Sequence, residues 1–187
     1  MQSLLWIVLV AFSFTFLGCS QNSDQSNSLQ DIHSNKNQSI PKTEVRVDLL
    51  DTAKWQEIKS LNKGKVLFVN IWATWCLPCK EEFPDLVKLA EEYQNSDVVI
   101  VGVSVDYQDE IVSKIIPFLQ SQKARFPNYV QNFKQPEVLI NMFNEKWRGA
   151  VPATFIYDEN GIQKAFLLGK QSYNEFIDAI EDIKSNR

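Results

Sequence analysis

The 187-residue chain predicts an α/β sandwich: a central mixed β-sheet covered by helices. Three observations carry this prediction. Lys65–Trp72 is an almost continuous apolar, β-branched and aromatic run, the mark of a strand buried on both faces. Apolar residues at helical spacing follow at once, from Leu77 to Tyr93. The same strand-then-helix order recurs downstream and closes with a hairpin signal, Asp158-Glu159-Asn160-Gly161, and a last amphipathic helix.

The elements follow in order. Val45–Leu49 alternates and predicts an edge strand, and Trp55–Leu61 a short helix stopped at Asn62-Lys63-Gly64. After the buried Lys65–Trp72 strand, the Leu77–Tyr93 helix has Phe83, Leu86, Val87, Leu89, Ala90 and Tyr93 on one face. Lys80, Glu81, Asp85, Lys88, Glu91 and Glu92 lie on the other. Pro84 removes a backbone donor and bends this helix. Val98–Val105 is a second buried strand. Glu110–Gln122 reads as a helix kinked or split at Pro117, Phe126–Val130 as a short strand and Glu137–Asn144 as a helix opened by Pro136. Ala153–Tyr157 and Ile162–Leu168 pair across the hairpin turn. Ser172 caps the final helix, whose buried face carries Phe176, Ile177, Ile180 and Ile183.

Composition narrows the function classes. Hydrophobic residues make up 44% and charged residues 22%, which excludes a largely disordered or multi-span membrane chain. The net charge is −4 and no long basic block occurs, which argues against a nucleic-acid face. Three cysteines are too few for a disulfide scaffold.

Three segments are expected. Residues 1–18 read as a signal peptide: Leu4–Leu17 is apolar except for Ser13 and Thr15, too short for a spanning helix of about 20 residues. Residues 19–43 read as a flexible tether. From Ser20 to Thr43, 14 of 24 residues are Ser, Asn or Gln, too polar to offset the entropy of ordering. His33, the only histidine, falls in this tether. Residues 44–187 form the folded domain, of ordinary size for one core.

The chemistry points to Cys76-Leu77-Pro78-Cys79. Two cysteines sit where a buried strand gives way to the first turn of a helix. Free N–H groups and the positive helix end favour an anion there, which holds Cys76 as a thiolate nucleophile. Cys79, one turn further in, resolves the mixed disulfide that Cys76 forms with a client. A bare C-x-x-C is also half of a zinc site, but the domain has no further Cys and no His, so no metal is expected. A purely structural disulfide would close too small a loop to stabilise much.

The string Val66-Leu67-Phe68-Val69-Asn70-Ile71-Trp72-Ala73-Thr74-Trp75-Cys76-Leu77-Pro78-Cys79-Lys80-Glu81-Glu82-Phe83-Pro84 resembles the TlpA/ResA group of thioredoxin-like thiol–disulfide oxidoreductases. The similarity continues at Val151-Pro152-Ala153-Thr154-Phe155-Ile156-Tyr157-Asp158. The resemblance implies a thioredoxin-like fold with an N-terminal extension and a central helix/strand insertion between Val105 and Pro152. It implies that Cys76 attacks, that Cys79 resolves, and that the redox disulfide serves without another cofactor. It also implies that Pro152 is cis, presenting the Val151 backbone to a client, and that Trp75 shapes the docking surface. Read without the family, Pro152 is a strand-start proline and Trp75 a packed aromatic.

Thioredoxin buries an acid where this chain has Asn70. Some members of the group place an acid after the next strand, so Asp106 and Glu110 are candidate proton relays, with Asp109 in the same stretch. Gly18-Cys19 resembles a bacterial lipoprotein cleavage box, which implies lipid attachment at Cys19 and a domain on the envelope side of a membrane. The partners implied are protein thiols and disulfides, apocytochrome c among the possible clients, and a membrane electron donor if the chain reduces them. Two alternatives share the scaffold. One is a peroxide reductase of the peroxiredoxin or glutathione-peroxidase type. The other is a Sco-like copper chaperone, which the absence of a domain histidine disfavours.

Overall fold

The computed structural model describes residues 45–186. The signal peptide and tether expected at 1–43, with Cys19 and His33, lie outside the described residues, as does residue 187. Six strands form one mixed sheet: β1 (Val47–Leu50), β2 (Val66–Trp72), β3 (Val98–Ser104), β4 (Asn128–Gln131), β5 (Ala153–Tyr157) and β6 (Gln163–Leu168). Their order is β1-β4-β3-β2-β5-β6. β1 to β4 all run parallel to one another, whereas β5 is antiparallel to both β2 and β6.

β2 lies at the centre with all seven residues buried, as its unbroken apolar run requires. Its side chains alternate between two cores. Val66, Phe68 and Trp72 face α2 (Leu77–Glu92), α3 (Ile116–Ser121) and α5 (Tyr173–Ser185). Leu67, Val69 and Ile71 face α1 (Thr52–Leu61) and α4 (Pro136–Phe143). By this parity Asn70 points toward α2, the one polar side chain of the strand on that face.

Local chemistry explains the ends of the elements. Asp51 caps α1 by accepting the Lys54 N–H at 2.8 Å. Ser172 and Glu175 form a capping box on α5, whose Phe176, Ile180 and Ile183 are buried while Ile177 is half-buried. The Asp158–Gly161 turn is held by Asp158, which accepts the Asn160 and Ile162 N–H groups, and Gly161 takes the positive φ of 76° that the turn demands.

α2 runs through Pro84 as one helix. The segment around Pro117 does not. A 3₁₀ turn over Gln108–Glu110 leads into a π-helical turn, Ile111–Ile115, before regular α-helix starts at Ile116. Pro117 has no N–H and its ring crowds the preceding turn, so the coil widens there. This stretch, with β4 and α4, fills the insertion between β3 and β5.

Behind the β2–α2 junction lies an aromatic cluster. Phe83 meets Trp72 at 5.0 Å, Phe118 at 4.8 Å and Phe126 at 5.9 Å between ring centroids. Contacts of this kind add to ordinary burial and hold the first two turns of α2 against the sheet. No helix among the described residues is long and apolar enough to cross a membrane.

Candidate active site

The site is built where β2 hands over to α2. Ala73 is buried, and Thr74 is then fastened from the β3 side. Its N–H donates to Asp106 Oδ2 at 2.8 Å and its hydroxyl to Asp106 Oδ1 at 2.7 Å. The Ser104 hydroxyl also donates to Asp106 Oδ2, at 2.6 Å. Asp106 therefore clamps the loop that carries Trp75 and Cys76. Trp75 itself stands 65% exposed beside the sulfurs.

Cys76 is the N-cap of α2 and is joined to Cys79 by a disulfide, with Cα atoms 5.3 Å apart. Cys76 Sγ accepts the Cys79 N–H at 3.2 Å. That contact and the open first turn of the helix are the features that stabilise negative charge on this sulfur when the bond is reduced. Pro78 occupies the first turn, where a missing N–H costs nothing. Cys76 is 5% exposed and Cys79 1%, so the outer sulfur meets a partner first.

The Val151–Pro152 peptide bond is cis. Ala153 pairs with Ile71, so Pro152 lies level with the C-terminal end of β2, on the side of the site opposite Asp106. Val151 packs against the core cluster that contains both cysteines.

Of the two relay candidates, Asp106 has its carboxylate committed to Thr74 and Ser104. Glu110 pairs with Lys114 and accepts the Tyr107 N–H at 3.1 Å. No hydrogen bond joins either to the cysteines. A different acid is brought to the site. Glu82, one turn after Cys79 on the same helix face, is 1% exposed. Its Oε1 accepts from Asn70 Nδ2 at 2.8 Å and its Oε2 from the Gln171 N–H at 3.0 Å. Asn70 Nδ2 also donates to Thr154 Oγ1 at 3.1 Å. Burial pushes the Glu82 carboxyl up to about 7, and the Gln171 and Asn70 donors offset only part of that rise. Asn70, on β2, thus holds a buried acid that α2 supplies.

Sequence reading missed Glu82, although a signal exists. The residue falls at the i+3 position from Cys79 and i−4 from Leu86, inside the apolar stripe of α2. An acid on a buried stripe asks for an explanation. Among the described residues, no group of three or more His, Cys, Asp and Glu side chains is placed to hold a metal ion.

A central β2–α2 junction bearing a Cys-x-x-Cys disulfide, with a cis-proline at the start of the neighbouring strand, defines a thioredoxin-like redox scaffold. Within that class the chain belongs to the AhpC/TSA family, whose model matches residues 36–165. It is similar to thiol-disulfide oxidoreductase ResA of Geobacillus thermodenitrificans (strain NG80-2), 33% identical over 122 residues, covering 65% of each protein. It is also similar to thioredoxin-like protein YneN of Bacillus subtilis (strain 168), 28% identical over 113 residues, covering 60% of this chain and 62% of that one. The match thus spans just under two-thirds of these relatives' length. Among solved structures, a thiol:disulfide interchange protein of the thioredoxin family from Chlorobium tepidum TLS superposes with a TM-score of 0.57 at 26% identity. It covers 67% of this chain and 83% of that one. A DsbF homologue from Corynebacterium diphtheriae gives a TM-score of 0.55 at 26% identity, over 66% and 74% of the two chains.

Proposed function

We propose that the chain is a thiol–disulfide oxidoreductase that works outside the cytoplasm and reduces disulfides in client proteins. The observation that carries the reading is the Cys76–Cys79 disulfide at the N-terminus of α2, with the Glu82 carboxyl one turn behind it. The names of the ResA relatives and of the Chlorobium tepidum structure support it.

The cycle balances as follows. In the dithiol form, the Cys76 thiolate attacks one sulfur of a client disulfide. The client S–S bond breaks and one client thiolate leaves, taking a proton from solvent. Cys79 then gives its proton to the Glu82 carboxylate, directly or through one water, and its thiolate attacks Cys76 Sγ. The mixed disulfide breaks, the second client thiolate departs and takes up a proton, and Glu82 returns its own to solvent. Two electrons have moved to the client and the chain is left as the Cys76–Cys79 disulfide. An external dithiol donor at the membrane resets it, so the couple is the only redox group the cycle uses.

A client docks over Trp75 and against the Val151 backbone before Pro152, where an extended segment can pair as an added strand. Extracytoplasmic placement and lipid attachment at Cys19 are supported by the apolar Leu4–Leu17 run and the Gly18-Cys19 pair. Apocytochrome c is a candidate client of the right chemistry.

Two measurements test this. Cys79→Ser should trap a covalent client complex through Cys76, whereas Cys76→Ser should trap none; equal trapping by both would overturn the assigned roles. The midpoint potential of the couple should fall near that of thioredoxin, about −270 mV. A value near about −120 mV, that of a strong oxidant, would reverse the direction. Peroxide turnover without disulfide exchange would replace the reading with that of a peroxide reductase.

A further inference from the structure

We propose that the chain carries a second ligand site, a cleft between the C-terminal half of α2 and the start of β3, and that it binds a small carboxylate with an apolar tail. The site is separate from the redox cycle. Val98 and Ile100 line it near the start of β3, whereas the disulfide follows the far end of β2, level with Ser104. About four to six residues of extended strand separate the two, ~13–20 Å at ~3.3 Å each.

The cleft measures about 420 Å³, within the range of small-molecule sites. Its walls are apolar: Val87 and Ala90 of α2, Val98 and Ile100 of β3, and Phe126 just before β4. Val87, Ala90 and Phe126 are only half-buried, so this apolar wall is incompletely covered. Three charged side chains join it, Lys123, Arg125 and Glu91, all exposed and therefore at the rim. Neither Lys123 nor Arg125 has a salt-bridge partner among the described residues.

Lys123 stands there against its backbone preference. α3 ends in a Schellman turn: the Ala124 N–H donates to the Leu119 carbonyl at 3.0 Å and the Lys123 N–H to the Gln120 carbonyl at 3.1 Å. The turn puts Lys123 at a φ of 56°, in the left-handed region where glycine is the ordinary occupant. Among the described residues it is the only one other than glycine with a positive φ. A lysine in a glycine's place gives the turn nothing. Its side chain instead sets a cation at the mouth of the cleft, and strain of this kind collects at sites that bind.

Charge and size together define the ligand. Two cations face one acid, Glu91, and the carbonyl end of α2, which carries about half a negative charge. That balance accommodates one anionic group and not several. Arg125 offers a carboxylate its paired N–H donors, with Lys123 as a second positive charge. The volume is room for roughly fourteen groups of about 30 Å³ each, so a straight-chain acid of about ten carbons fits with its tail on Val98, Ile100 and Phe126.

The test titrates the full chain with decanoate, octanoate and decanol by calorimetry and locates the ligand by NMR. Decanoate should bind once per chain, about tenfold tighter than octanoate, which buries two fewer methylenes. It should also bind about tenfold tighter than decanol, which has the tail without the charge. Shifts should fall on Val87, Ile100 and Phe126 rather than on Trp75. Lys123→Gly with Arg125→Gln should bring decanoate and decanol to equal affinity. Lys123→Gly alone should weaken decanoate binding while raising the unfolding temperature by about 2–4 °C, because glycine relaxes the turn. A loss of binding with a gain in stability is what a ligand contact gives and a structural lysine does not. No decanoate binding at millimolar concentration, equal affinity of the native chain for decanoate and decanol, or shifts centred on Trp75 would overturn the proposal. Exchange with oxidised glutathione tests the oxidoreductase reading separately.

Discussion

Glu82 and Asp106 are both about 1% exposed, and both lie near the junction of β2 and α2, yet they are built for different tasks. Asp106 lies on the β3 side and accepts three short hydrogen bonds, from one N–H and two hydroxyls. Each donor would be orphaned without it, so its role is to fix the loop. Glu82 lies under α2 with two donors, the Asn70 amide and the Gln171 N–H, among largely apolar neighbours. Its charge is poorly compensated, and it can hold a proton near neutral pH. Burial alone does not decide what a carboxyl does; the number of donors that meet it does.

The largest expected effect lies on the clamp. Asp106→Ala strips the acceptor from Thr74 and Ser104 and should cost roughly 3–5 kcal/mol in denaturant unfolding. A loss below about 1 kcal/mol would mean that the clamp contributes little to the fold.

Next is the pH dependence that Glu82 imposes. Its folded pKa, about 7, stands above the ordinary 4.5. The folded state therefore binds more protons than the unfolded state between those values. Stability from this group is fully present below pH 4.5 and is lost as pH rises through 7, on the order of 3 kcal/mol across the window. Glu82→Gln should flatten that slope in a series of unfolding curves, and an unchanged slope would place the proton elsewhere.

The smallest effect is kinetic and sharpens the contrast directly. Glu82→Gln should slow resolution of a Cys76 mixed disulfide by Cys79 about 100-fold at pH 7, equal to about 2.7 kcal/mol. The first attack by Cys76 should change far less, which stopped-flow measurement of the two phases can separate. Equal slowing of both steps would make Glu82 a structural acid like Asp106.

Much of this arrangement was legible in the chain. The Lys65–Trp72 run could only be a central strand, and β2 is that strand. The Cys76–Cys79 spacing at a strand-to-helix junction located the site. Ser172 with Glu175 announced the start of α5. The relay was less legible. Asp106 and Glu110 are candidates because acids cluster after β3, but position along the chain does not reveal how many donors surround a carboxylate. Glu82 stands between Glu81 and Phe83 on a helix whose apolar stripe is legible only through its hydrophobic members. The partner that explains it, Asn70, is twelve residues earlier on another element.

The sequence by itself determined the alternation of strands and helices, the ends set by prolines, glycines and capping side chains, and the place of the two sulfurs. These depend on interactions within a few residues, which a linear pattern records. Only the tertiary structure decided which buried acid is held against β2 by Asn70 and which braces the loop. Those outcomes depend on desolvation and on donors brought in from distant strands, and neither exists until the sheet and α2 have packed together.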